Sequence, residues 1–140
     1  MLYVDTSVLV ALCTNEAKTA DVTKWYAACT DELASAAWCV TEFASALGIK
    51  QRTGQLTELQ AQAAWVKFER MCANDLQLLP VEAMTFHKAA MLTMDAAAGL
   101  RAGDALHLAC AIEAKVQGMA TLDAVMAKNA KRFKVKPVAI

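Results

Sequence analysis

Hydrophobic and polar residues alternate in blocks along the chain, and these blocks predict short strands followed by helices. The first block, residues 2–4, is a run of strand-forming residues that ends at Asp5. Asp5, Thr6 and Ser7 supply helix-capping side chains for a predicted helix over residues 8–12. The chain therefore begins with a strand that passes directly into a helix.

The same reasoning predicts further strands at 33–36, 76–81, 119–122 and 137–140, and helices over 15–29, 38–49, 57–72, 83–98, 105–116 and 124–132. The helix over 105–116 is apolar on nearly every side, which predicts a buried helix. In the helix over 57–72, we expect the core side to consist of Leu59, Ala63, Val66 and Met71. Alternating strands and helices predict an α/β fold, a single three-layer domain over residues 1–140 with a short parallel sheet flanked by helices.

Composition limits the classes of function that need to be considered. The hydrophobic fraction of 57% is enough for a sizeable core, and the formal net charge of zero gives no bulk support for nucleic-acid binding. Charge is nevertheless uneven, since the residues after Asp123 include five basic side chains and no acid. We interpret this stretch, which contains Lys131 and Arg132, as a solvated helix face, with a phosphate-binding patch as the alternative.

Cysteine usage points to a reducing environment. The five cysteines are odd in number, include no CxxC pair and mostly lie among apolar residues. This pattern is typical of small buried hydrophobic groups, and not of a disulfide framework or a zinc site. Neither a signal peptide nor a membrane span is predicted, so we expect a cytoplasmic protein with no membrane partner.

Four acids are predicted to meet at one edge of the sheet. Asp5 and Asp123 each follow a predicted strand. Glu42 lies in the first turns of the helix after the second strand, and Asp104 opens the buried helix. Because parallel strands place their carboxyl ends on one edge, these acids can converge although they are far apart in sequence. Each acid taken singly is better explained as a helix cap than as a metal ligand, and only the four together favour a site.

Four carboxylates in one pocket require neutralisation. Two carboxylates about 4 Å apart repel each other by about 4 kcal/mol at an effective dielectric constant of about 20. Such a group takes up protons or binds a cation. Hard oxygen ligands without histidine or cysteine suit Mg²⁺ or Mn²⁺. An all-carboxylate metal site in turn suits phosphodiester hydrolysis, because metals can activate water, orient the phosphate and stabilise the leaving oxygen.

Four segments of the sequence resemble the PIN-domain family, and within it the VapC-type toxin ribonucleases of toxin–antitoxin pairs. The segments are YVDTSVLVAL at 3–12, TEFASAL at 41–47, LRAGDALHLACA at 100–111 and ATLDAVMAKNAKRF at 120–133. They occur in the order found in the family, and the match covers essentially the whole chain.

The resemblance implies a metal-dependent endoribonuclease that uses Mg²⁺ or Mn²⁺. The positions that match the four acids of the family are Asp5, Glu42, Asp104 and Asp123. Thr6 or Ser7 matches the hydroxyl that relatives place beside the water of the metal site, and Thr121 matches a similar position before the last acid. The resemblance also implies a homodimer and a VapB-type antitoxin that threads a segment across the groove.

Other residues near the acids allow more than one interpretation. His107, one turn after Asp104, is interpreted as a satisfied histidine at the margin of the core, with support of the acids or an RNA contact as alternatives. Arg101 could bind an RNA phosphate or pair with an acid. If the substrate is RNA, Lys131 and Arg132 become candidate phosphate contacts together with Arg101.

Two other classes of function compete with the ribonuclease. A non-catalytic module of the same fold would bind RNA or protein through the same groove, although the intact set of acids argues against it. A phosphotransfer enzyme or receiver domain would need a second acid close to Asp5 or a lysine after a late strand. Ser7 stands where that acid would be, and no such lysine follows Thr121.

Overall fold

A sheet of five parallel strands lies at the centre of the computed structural model, which describes residues 1–140. The strands are β1 (Leu2–Val4), β2 (Leu33–Ala36), β3 (Leu76–Leu79), β4 (Gly118–Ala120) and β5 (Lys136–Pro137). The helices are α1 (Thr6–Cys13), α2 (Thr19–Ala28), α3 (Trp38–Arg52), α4 (Glu58–Asn74), α5 (Ala83–Met94), α6 (Ala102–Glu113) and α7 (Ala124–Arg132). A short 3-10 helix, Ala96–Ala98, follows α5.

The order of the strands creates a crevice at the carboxyl end of the sheet. The order is β3-β2-β1-β4-β5, so β1 is central and pairs with both β2 and β4. The chain first moves outward from β1 through β2 and β3, and it then returns to add β4 and β5 on the other side. Ligands of such sheets bind where the direction of winding reverses, which here is the junction of β1 and β4.

Helices cover both faces of the sheet, which confirms the predicted α/β three-layer fold. Residues of α1 to α4 form one hydrophobic cluster with strand residues that include Val4, and residues of α5 to α7 form a second cluster with Tyr3. Adjacent residues of β1 thus face opposite layers, as the pleat of a strand requires. The buried character of α6 is also confirmed, since every residue from Ala105 to Ala111 is buried.

The predicted core face of α4 is wrong at three of its four positions. Leu59 and Val66 are 77% and 45% exposed, and Ala63 is also exposed. The buried residues of this helix are Ala61, Ala64, Phe68 and Met71. The ring of Phe68 stacks on Phe43 of α3 at a centroid distance of 4.1 Å. Burying an aromatic ring removes more apolar area from water than burying Leu59 would, and this fixes the rotation of the helix.

Two of the five cysteines are fully buried among apolar residues, and the other three are partly buried. All five cysteines are free thiols, and Cys39 and Cys110 are buried. Burial raises the pKa of the thiol to about 12 at Cys39 and to about 11 at Cys110, which keeps both groups protonated and unreactive. No helix combines the length and the apolar character needed to cross a membrane.

Candidate active site

The four acids lie around the carboxyl ends of β1, β2 and β4. Asp5 directly follows β1, and Asp123 caps α7 after β4. Glu42 lies in the second turn of α3, and Asp104 in the first turn of α6. Burial is the largest cause of a raised pKa at Asp104, and the negative charges of Asp123, Asp5 and Glu42 raise it further, against the opposing charge of Arg101. The four carboxylates therefore share one electrostatic environment.

Asp5 is the most deeply buried of the four, with 4% of its surface exposed. Its Oδ1 atom accepts hydrogen bonds from the Ser7 hydroxyl at 2.5 Å and from the backbone N–H of Val8 at 3.3 Å. Its Oδ2 atom accepts from the Thr121 hydroxyl. Burial raises the pKa of Asp5, and these donors oppose the increase. The side chain therefore caps α1, as sequence reasoning allowed, and its charge also acts on Asp104.

Thr121 connects the first acid with the last. Besides donating to Asp5, its hydroxyl oxygen accepts the backbone N–H of Asp123 at 3.1 Å. Asp123 in turn accepts from the N–H of Met126 at 2.7 Å and so caps α7. Ser7 reinforces this link, because its hydroxyl accepts the N–H of Leu122 at 3.0 Å. The loops after β1 and β4 are thus joined directly beneath two of the carboxylates.

Glu42 is held from two sides through a single oxygen. Its Oε1 atom accepts from the Thr6 hydroxyl at 2.7 Å and contacts Nε2 of His107. Burial raises the pKa of Glu42, but the hydrogen bonds that it receives from His107 and, more weakly, from Thr6 outweigh burial and leave it lowered. The carboxylate of Glu42 is therefore the one that the protein itself stabilises in its charged form.

A groove of about 630 Å³ opens beside Glu42. Its walls combine hydroxyl groups with apolar side chains, contributed by Thr6, Ser7, Val10, Trp38, Thr41, Ser45, Ala46, Ile49 and Leu122. Of the four acids, only Glu42 lines it. Gly103, which directly precedes Asp104, also lines the groove, so the groove borders the acid cluster.

The donor chemistry at this edge suits a hard divalent cation. Four carboxylates and three hydroxyl groups converge there, with no thiol among them. In their present positions, however, no three His, Cys, Asp or Glu side chains form a group that could hold a metal ion. The reason is visible in the contacts, because Asp5 and Glu42 both bind protein donors instead of pointing at a common centre.

The predicted RNA-binding residues lie in two separate places. Arg101 is 86% exposed, and its Nε atom is 3.8 Å from Asp104, so it borders the acids. Lys131 and Arg132 lie in the last turn of α7, at the opposite end of that helix from Asp123. Arg132 is already paired, with Asp95 at 3.1 Å and with the side-chain oxygen of Asn129. These basic residues therefore do not form one patch with the acids.

Asn129 and Asp123 serve different parts of the structure. Asn129 is 1% exposed, and its amide donates to the carbonyl oxygens of Ala98 and Val125 at 2.9 Å each. It thereby anchors α7 to the 3-10 helix, away from the carboxylates. Asp123 is the residue of this segment whose negative charge raises the pKa of Asp104.

Sequence reasoning did not assign His107 or Tyr3 to the site. His107 is indeed a satisfied buried histidine, yet one of its partners is the carboxylate of Glu42. One indication of this contact was present in the sequence: His107 lies within a helix that is apolar on nearly every side, and a buried imidazole needs a polar partner. Tyr3 gave a similar signal, since a tyrosine in a central strand must find a partner for its hydroxyl.

Comparisons with known proteins give one family and several related folds. A family model described as PIN domain matches residues 2–132. VapC20 of Mycobacterium tuberculosis, a sarcin-ricin loop cleaving toxin, superposes with a TM-score of 0.75 at 16% identity, covering 92% of this chain and 95% of that chain. FitAcB of Neisseria gonorrhoeae gives 0.73 at 16% identity, covering 99% and 97%. VapBC2 of Rickettsia felis, bound to a DNA fragment from their promoter, gives 0.64 at 14% identity, covering 99% and 98%. No curated protein matches the sequence.

Proposed function

The chain belongs to the PIN-domain family, and from this premise we propose that it is a metal-dependent endoribonuclease, the toxin of a VapBC-type toxin–antitoxin pair. The observation that carries the proposal is the electrostatic strain at Asp104, whose pKa is raised by burial and by the charges of three other acids. A divalent cation would relieve this strain, which makes Mg²⁺ or Mn²⁺ the expected cofactor.

The residues divide into ligands and groups that orient them. Asp5, Glu42, Asp104 and Asp123 would hold the metal, which would supply an activated water and stabilise the leaving oxygen of the phosphodiester. Thr6 and Ser7 keep the first two acids in place, because each donates a hydrogen bond to a carboxylate oxygen. Both hydroxyl groups also line the groove, where they can contact the RNA.

The RNA is expected to approach along the groove and to be bound in part by basic side chains. Arg101 stands at the margin of the acids, where it can bind a phosphate next to the scissile bond. Lys131 and Arg132 would contact phosphates farther along the strand. The resemblance to VapC-type toxins implies an antitoxin partner, and the similarity of this chain to FitAcB and VapBC2 supports extending such a partner to it.

The test is cleavage of a labelled total-RNA pool by purified protein with Mg²⁺, with Mn²⁺ and with EDTA. We expect cleavage only with a metal, and its loss in Asp5→Asn. Asp31→Asn is the matched control, because Asp31 is an exposed acid just before β2, at the opposite edge of the sheet. Circular dichroism of each variant shows whether the fold is retained.

Two outcomes would contradict the proposal. Cleavage by Asp5→Asn at the wild-type rate would remove the acids from the reaction. RNA binding without cleavage under any metal condition, by folded protein free of antitoxin, would instead support a non-catalytic RNA- or protein-binding module with the same fold.

A homodimer is the last part of the proposal. On α5, four exposed residues recur at intervals of three and four, and they form a stripe along one side of the helix: Met84, His87, Met91 and Met94. The three methionines of this α5 stripe are 61–76% exposed. Apolar side chains at this spacing are typical of helix–helix contacts, and exposed apolar patches mark interaction surfaces. A second copy of the chain, packed stripe against stripe, would bury them.

A further inference from the structure

His107 is a buried polar residue that the proposed catalytic set does not include. Its side chain is 1% exposed and belongs to the fully buried stretch of α6. A buried imidazole is costly unless both ring nitrogens find partners. Both nitrogens do so here: Nδ1 contacts Tyr3 in the sheet, and Nε2 contacts Glu42 and, at 3.1 Å, the hydroxyl of Thr6 among the acids.

The partner in the sheet is Tyr3. Its hydroxyl oxygen lies 2.6 Å from Nδ1 of His107 and accepts a hydrogen bond of 2.9 Å from the backbone N–H of Ala36 in β2. Since the oxygen already accepts from Ala36, the hydroxyl can donate its own hydrogen to Nδ1. Nδ1 of His107 is thereby made the acceptor of the ring.

The partner among the acids is Glu42. A neutral imidazole that accepts at Nδ1 carries its hydrogen on Nε2, and this atom contacts Oε1 of Glu42. Oε1 is therefore fully engaged, because Thr6 also donates to it. The other oxygen, Oε2, faces the backbone of Gly103: a Cβ built there would lie 2.8 Å from Oε2 and 3.2 Å from Nε1 of Trp38. The indole N–H favours the charged form of Glu42 but makes no well-formed hydrogen bond.

We propose that His107 is a positioning residue, which binds one oxygen of Glu42 and leaves the other oriented for a divalent cation. Tyr3 fixes the tautomer that this role needs, and the amide of Ala36 fixes Tyr3. Each hydrogen bond in this series is therefore donated toward the acid site: Ala36 donates to Tyr3, Tyr3 to His107, and His107 to Glu42. The inference rests on the proposed metal-dependent function, because the orientation of Glu42 affects activity only if its free oxygen binds a cation. Groups that orient metal ligands in this way typically change metal affinity by about 10–100-fold when they are lost.

The first measurement is the tautomer of His107 in metal-free protein by ¹⁵N NMR. The chain has two histidines, and exposed His87 serves as the internal reference. We expect hydrogen on Nε2 of His107 and none on Nδ1, and Tyr3→Phe should abolish this preference. Hydrogen on Nδ1 in the wild type would contradict the proposal that Tyr3 donates to Nδ1 and that Nε2 donates to Glu42. This measurement depends on neither metal nor RNA.

The second measurement is Mn²⁺ affinity by calorimetry for a matched pair of variants. The amide of His107→Gln can replace Nε2 as donor to Glu42, whereas that of His107→Asn reaches only the position of Nδ1. We expect Mn²⁺ binding about 10–100-fold weaker in His107→Asn, and close to the wild-type value in His107→Gln. If the role of His107 were merely structural, the two variants would bind Mn²⁺ with similar affinity. If His107→Asn fails to fold, Tyr3→Phe takes its place in the comparison, with Mn²⁺ binding expected to be weaker than in the wild type.

Cleavage assays separate this inference from the proposed function. If His107 acts through metal affinity, a large excess of Mn²⁺ should restore the kcat of His107→Asn toward the wild-type value. Equal Mn²⁺ affinity in His107→Asn and the wild type, with an active wild type, would overturn the positioning role and leave the nuclease intact. Absence of Mn²⁺ binding and of cleavage in the wild type would overturn the proposed function, whatever tautomer His107 adopts.

Discussion

Gly103 and Glu42 approach each other so closely that a side chain at position 103 would have to displace the carboxylate of Glu42. A Cβ at Gly103 would lie 2.8 Å from Oε2 of Glu42 and 3.2 Å from Nε1 of Trp38. That indole nitrogen is buried and has no hydrogen-bond partner. The first turn of α6 therefore uses glycine for a close approach to the acid site, although glycine weakens a helix.

This contact predicts the effect of Gly103→Ala. The methyl group should displace the carboxylate of Glu42, so we expect at least a tenfold loss of RNA cleavage. The melting temperature should change little, because the gain in helix propensity, about 1 kcal/mol, offsets the clash. The matched control is Gly48→Ala in α3, where the new Cβ would meet only the guanidinium end of Arg52 at 3.2 Å. Full activity in Gly103→Ala would mean that the position of Glu42 is unimportant.

Asp104 should make the metal-free protein less stable at neutral pH. Its pKa is raised in the folded state by burial and by the charges of Asp123, Asp5 and Glu42. Its favourable contribution to folding is therefore complete below the ordinary pKa of 3.8, and it is lost as the pH rises through the higher folded-state value. Asp104→Asn should then raise the free energy of unfolding at pH 7 by an amount on the order of 1 kcal/mol.

Denaturant unfolding of the metal-free protein at several pH values checks this prediction. The difference between Asp104→Asn and the wild type should disappear at acidic pH, where Asp104 is protonated in both states. Asp31→Asn should show no such difference at any pH, because Asp31 is exposed and far from the acids. An unstable Asp104→Asn at pH 7 would contradict the electrostatic strain on which the proposed metal site depends.

Lys131 should contribute to RNA affinity more than Arg132. Arg132 is held by Asp95 and Asn129, whereas no ion pair forms at Lys131, which is exposed on the same turn. Lys131→Ala should reduce the slope of log K against log salt concentration by about 0.7, the value for one contact with single-stranded nucleic acid. Filter binding by the inactive Asp5→Asn background gives the slope, and Lys24→Ala on α2 is the control. An unchanged slope would exclude Lys131 from the RNA-binding surface.

The α5 stripe predicts a dimer that one charge can break. Met91 lies in the middle of the stripe and is 61% exposed, so Met91→Glu would place two like charges within a helix–helix contact. Sedimentation analysis should give a dimer for the wild type and a monomer for Met91→Glu. Leu59→Glu, at an exposed apolar position on α4, should remain dimeric. A monomeric wild type would contradict the homodimer, and a monomeric Leu59→Glu would place the contact on α4.

The fold was predictable because its determinants are local. Helix α7 has the predicted bounds, since Asp123 caps its start and basic residues occupy its last turn. Helix α2 begins at Thr19, later than predicted, because Thr19 folds back onto Ala11 and Thr14 and shapes the preceding turn. Contacts of that kind join residues whose proximity depends on the path of the chain, and a single sequence does not reveal them.

The sequence was sufficient to predict which acids lie at this edge of the sheet, but not the side-chain contacts that hold them. The rule for parallel strands places Asp5 and Asp123 at one edge without knowledge of any side chain. The contact of His107 with Glu42, 65 residues apart, depends on how α6 is rotated against α3. The prediction of the buried side of α4 was wrong for the same reason. Apolar residues occur on two sides of this helix, and the contact of Phe68 with Phe43 of α3 determines which side is buried.

The insertion of β4 next to β1 has a consequence for the newly made protein. Thr121 and Asp5, which bind each other in the finished site, are 116 residues apart, and β1 lacks one of its two neighbours until β4 has been synthesised. At translation rates of 5–20 residues per second, this interval lasts about 6–23 s. A growing chain therefore carries its first carboxylates for many seconds without the last one, so the proposed site cannot be complete before β4 and Asp123 have been made.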